Sequence, residues 1–84
     1  MRNGYNAAMT LQNRIAAAAA TLRKTGGHPQ QVHLTKTDAV QLQYELMAEG
    51  GKVAQEIMLH GIQKAVQTVF GLRIVWRSSS FGVV

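Results

Sequence analysis

Leu11, Ile15, Ala18 and Leu22 recur at steps of four, three and four, the spacing that lines one face of an α-helix. It predicts a helix over residues 6–24. The uninterrupted Ala run at 16–20 reinforces it, because Ala has the highest intrinsic helix propensity. Asn3 or Asn6 is the expected N-cap. Arg23 and Lys24 suit the negative end of the helix dipole, and Gly26-Gly27 supplies the stop. The apolar payload of this helix is small, so Leu11, Ile15 and Leu22 are expected to meet a neighbouring chain. On that reading Ile15→Asp costs association more than secondary structure.

After a turn at residues 26–30, where His28-Pro29 fixes an extended approach, residues 31–35 alternate polar and apolar. They predict a short strand with Val32 and Leu34 inward. Thr35 or Thr37 can cap the next helix, with Asp38 in its positive first turn. That helix runs to about Glu49, with Ala39, Val40, Leu42, Leu46 and Met47 as a broad apolar face and Tyr44 beside them. Gly50-Gly51 interrupts it. From Lys52 the steps of Val53, Ile57, Met58, Ile62, Ala65, Val66 and Val69 are again helical. Gly61 lies inside that stretch, at about 1 kcal/mol relative to Ala, and marks a close crossing. Phe70-Gly71 ends the helix. Residues 72–77 alternate once more, with Leu72, Ile74 and Trp76 on one face and Arg73, Val75 and Arg77 on the other. Ser78–Ser80 reads as a loop, and residues 81–84 as a short apolar tail.

The pattern predicts an α+β fold in one small domain of residues 1–84, in the order α-β-α-α-β. An Ala-rich N-terminal helix (residues 1–25) precedes a strand-helix-helix-strand unit (residues 31–77) and a tail (residues 78–84). Two strands make a marginal sheet, which the C-terminal tail or a partner chain can complete.

Composition sharpens the expectation of partners. Of 39 apolar positions among 84 residues, 11 are Ala, which leaves a modest core for a chain this short. The absence of Cys excludes disulfides and thiolate metal sites. No apolar run reaches the length of a membrane span, and residues 1–6 lack the apolar stretch of a signal peptide. The formal charge is +5, and it is segregated. Residues 1–37 carry five cations and no acid. The four acids fall between Asp38 and Glu56, and Lys64, Arg73 and Arg77 make the last third basic again. Arg14, Arg23 and Lys24 are thereby placed to complement an acidic neighbour.

Candidate chemistry is sparse. Glu45 and Glu49 sit one helical turn apart, a spacing that can perturb a carboxyl pKa when buried and is mild repulsion when solvated. His28, His33 and His60 show no metal-ligand spacing. Gly26-Gly27 and Gly50-Gly51 lack the neighbours of a phosphate loop, and Ser78–Ser80 have no nearby His. These observations predict no catalytic site, no metal and no cofactor. Trp76, on the apolar face of its strand, suits a core anchor, and with Phe81 it is the aromatic candidate for protein contact. Arg73 and Arg77 supply the alternative, a small basic nucleic-acid-binding module that uses phosphate contact.

Val32-His33-Leu34-Thr35-Lys36-Thr37-Asp38, Leu42 and Leu46, followed by Val69-Phe70-Gly71-Leu72-Arg73-Ile74-Val75, resembles a strand–helix–strand pattern of tailed-bacteriophage head proteins. The resemblance covers residues 32–47 and 69–76 and carries no functional residue over. It implies a small phage or prophage structural protein: a capsid decoration, cement or minor head component. Its place would be the virion, reached through the host cytoplasm, or the cytoplasm if it is not viral. Its partners would be a capsid lattice or further copies of itself, with nucleic acid as the alternative and neither membrane nor small-molecule substrate.

Overall fold

The computed structural model describes residues 10–84; the expected caps Asn3 and Asn6 lie outside them. Helix α1, Leu11–Lys24, is capped by Thr10, whose hydroxyl oxygen accepts the amide of Asn13 at 3.1 Å. Strand β1, Gln31–His33, leads into α2, Lys36–Glu49. Of the two threonines, Thr35 closes the capping box. Its hydroxyl accepts the Asp38 amide at 3.1 Å, while the Asp38 carboxylate accepts the Thr35 amide at 3.0 Å.

The expected long helix from Lys52 to Val69 is three elements: α3, Gly51–His60; α4, Ile62–Ala65; and β2, Thr68–Val69. Gly61, at φ +84°, breaks the helix. Phe70 and Gly71 do not terminate a helix; they form the two-residue turn between β2 and β3, Leu72–Val75. The tail forms β4, Gly82–Val83.

The sheet is mixed, in the order β2-β3-β1-β4. Strands β1 and β3 run parallel, with Val32 opposite Ile74. They are joined by the crossover through α2, α3 and α4 that parallel pairing requires. The tail runs antiparallel beside β1, with Val32 opposite Val83, so the chain completes its own sheet.

Val32, Leu34, Leu72 and Ile74 project from one sheet face into a core shared with Leu11, Ile15 and Ala19 of α1, Leu42 of α2, Ile57 of α3 and Ile62 of α4. Between them Gln31, His33, Arg73 and Val75 alternate to the opposite face, half-buried or exposed. This is a small α+β domain with helices on one side of a four-stranded sheet.

Candidate functional site

Most residues expected to reach a partner are engaged within the chain. Leu11 and Ile15 are 1% and 0% exposed and lie at the centre of the core, so they have no surface to offer. The buried stripe is Leu11, Ile15 and Ala19, with Ala18 and Leu22 only half-buried, and it faces β4 and α2 of its own chain. Trp76 and Phe81 are half-buried and packed on the core. The indole Nε1 of Trp76 is buried with no hydrogen-bond partner among the described residues.

The cations divide. Arg14 is spent internally: its guanidinium lies 3.6 Å from the buried Asp38 carboxylate and 4.4 Å from the Phe81 ring centre, a cation–π contact. Its side chain stays 47% exposed, and these internal contacts compete with any acidic neighbour. Arg23, Lys24, Arg73 and Arg77 are exposed. The Glu45–Glu49 pair faces α1. Glu45 accepts the amide of Leu11 at 2.6 Å and that of Gln12 at 3.2 Å, and the Gln12 side chain reaches both carboxylates. Burial pushes the Glu45 pKa up, but hydrogen bonds from Gln41, Leu11 and Gln12 outweigh it and hold the carboxyl below its ordinary range. The pair is a fastener between helices. Among the described residues no three His, Cys, Asp or Glu converge on a metal position, and no helix is long and apolar enough to cross a membrane.

What the fold leaves uncovered is apolar. The broad face expected of α2 is split: Leu42 is buried, whereas Val40 and Tyr44 are 66% and 73% exposed. On α3, Ala54 and Ile57 point inward, while Met58 and Leu59 stand in solvent. Strand β2 is one edge of the sheet. Beside it lies a largely apolar groove of about 250 Å³ lined by Leu42, Leu46, Val53, Ala65, Val66 and Val69, together with Gln67 and Thr68.

Phe70, which follows the groove residue Val69 in the chain, is more than half exposed and sits at φ +50°. Positive φ suits a two-residue hairpin turn of the primed kind, which favours Asn or Gly at this position. For a bulky side chain it is a backbone outlier costing on the order of 1–2 kcal/mol. An exposed aromatic held in an unfavourable conformation contributes little to the core. The helical spacing through residues 62–69 makes Phe70 look like a helix stop in the sequence. The X-Gly pair between two short β-type runs was the available hairpin signal.

The chain matches no family model, no curated protein and no solved structure.

Proposed function

We propose that this chain is a non-enzymatic assembly protein, a small component of a phage-type particle, and that it docks through the β2 edge and the apolar groove beside it. The observation that carries the reading is Phe70: an exposed aromatic, strained at the tip of the hairpin, one residue beyond the edge strand β2 and the largely apolar groove that Val69 lines. Strain kept at an exposed residue marks a position with a use beyond folding.

The occupant that fits is an extended segment of a partner protein, added as a strand to β2. Its main chain would pair with the edge, and alternate apolar side chains would enter the groove. Acidic residues flanking that segment would meet Lys64 and Arg73, in a C-terminal third that has no acid after Glu56. A second copy of the chain carries the same +5 charge and fits less well. The phage-particle assignment rests on the strand–helix–strand resemblance.

Photo-crosslinking from position 70, with position 80 as the control, tests the reading in cells that form particles. The expected result is a discrete protein adduct from position 70 that sediments with a large assembly and is absent from position 80. Adducts of equal yield from both positions, a second copy as the only adduct, or nucleic acid as the only adduct would overturn it.

A further inference from the structure

A second cavity shares no lining residue with the docking groove. The carboxyl ends of β1 and β3 open into a cavity of about 450 Å³ lined by Lys36, Ala39, Gln63, Arg77 and Ser78. In open sheets with helical crossovers, the crevice outside the carboxyl ends of parallel strands is where ligands gather. The cavity is lined by two cations, an amide and a hydroxyl, with no carboxylate. Among the described residues neither Lys36 nor Arg77 has an ion-pair partner.

The two cations are 41 positions apart in sequence, and backbone hydrogen bonds bring them together. The Ser78 amide donates to the Leu34 carbonyl at 3.0 Å, and the Leu34 amide donates to the Val75 carbonyl at 3.1 Å. The Ser78 hydroxyl donates to that same Val75 carbonyl at 3.0 Å. Leu34 stands two residues before Lys36, and Ser78 directly follows Arg77. The turn that bears Arg77 is therefore tied to the segment that bears Lys36. Arg77 itself is at φ +60°, a second non-glycine outlier. Like charges brought together without a counter-charge favour an anion between them. A guanidinium fork and an ammonium are the groups that bind a phosphate oxyanion, with Gln63 able to add a neutral donor.

The geometry points to a phosphate-binding site formed by Lys36, Arg77 and Gln63 at the carboxyl ends of β1 and β3. Its volume exceeds that of one phosphate and leaves room for an attached group. Arg73 does not line the cavity, so the site does not use the Arg73–Arg77 pair expected from the sequence.

Amide NMR of the full chain, titrated separately with inorganic phosphate, pyrophosphate and a short single-stranded oligonucleotide, tests the assignment. Saturable shifts confined to residues 34–39, 63 and 76–78 are expected. Lys36→Gln and Arg77→Gln should each weaken binding about tenfold, and Arg23→Gln should leave it unchanged. Binding of phosphate or pyrophosphate identifies a small phosphorylated ligand as sufficient. Binding of the oligonucleotide alone, lost in Arg77→Gln, identifies a phosphodiester. Absence of saturable binding to all three, or equal loss in Arg23→Gln, would overturn the proposal. If Arg77→Gln fails to fold, Lys36→Gln decides, because the exposed Lys36 side chain makes no packing contribution to the core.

Discussion

The carboxylate of Glu45, in the middle of α2, accepts the amide of Leu11, the first residue of α1, at 2.6 Å. One acid from a neighbouring helix thus satisfies free donors at a helix start, a task usually left to the local cap. It also fixes where α1 begins against α2, which sets Leu11 and Ile15 into the core. Glu45→Ala should cost about 1–2 kcal/mol in urea unfolding at neutral pH, the range of a lost cap.

The same contact gives a signed pH dependence. The folded-state pKa of Glu45 lies below its ordinary value, so the unfolded chain binds the proton more tightly. The stabilisation is complete above the ordinary glutamate range and is lost as pH falls through the lowered folded value. Urea midpoints measured from neutral to acidic pH should fall for the parent chain. They should fall less for Glu45→Gln, which cannot ionise.

Ile15 separates a core helix from a docking helix. With no exposed surface, Ile15→Ala should cost about 2–5 kcal/mol. Ile15→Asp should abolish cooperative unfolding altogether, because an unpaired charge would be buried. Circular dichroism during thermal unfolding reads both. A folded Ile15→Asp chain that had lost only association would restore the expectation drawn from sequence.

Gly61 gives a prediction whose sign differs between the two readings. In a helix interior, Gly61→Ala would stabilise by about 1 kcal/mol. At φ +84°, with open space around the missing Cβ, it should instead destabilise by about 1–2 kcal/mol through backbone strain alone. Chemical denaturation of the single variant decides.

Much of the fold was legible because its signals are local. The Leu11–Ile15 spacing of α1 and the alternation around Val32, Leu34, Leu72 and Ile74 carry their own periodicity, whereas the choice of Thr35 over Thr37 as cap, and of Ala19 over Ala18 as the buried alanine, came from the structure. Residues 62–69 misled because a four-residue helix followed by a two-residue strand is too short to show a period. Val66 and Val69 keep helical spacing, although Val66 is the extended residue after α4 and Val69 lies in β2. The site was less legible. Whether the Leu11–Ile15 stripe faces inward depends on the tail pairing beside β1, a contact between residues about fifty apart in sequence. The strain at Phe70 and Arg77 follows from turn geometry that neither residue type announces. The meeting of Lys36 with Arg77 depends on the parallel register of β1 and β3.

Phe70→Asn separates docking from folding most directly. Asn suits a positive-φ turn position, and Phe70 contributes little to the core. The variant should therefore unfold at higher urea, gaining about 1 kcal/mol, while its co-sedimentation with the particle assembly falls at least tenfold. A gain in stability with undiminished co-sedimentation would contradict the account.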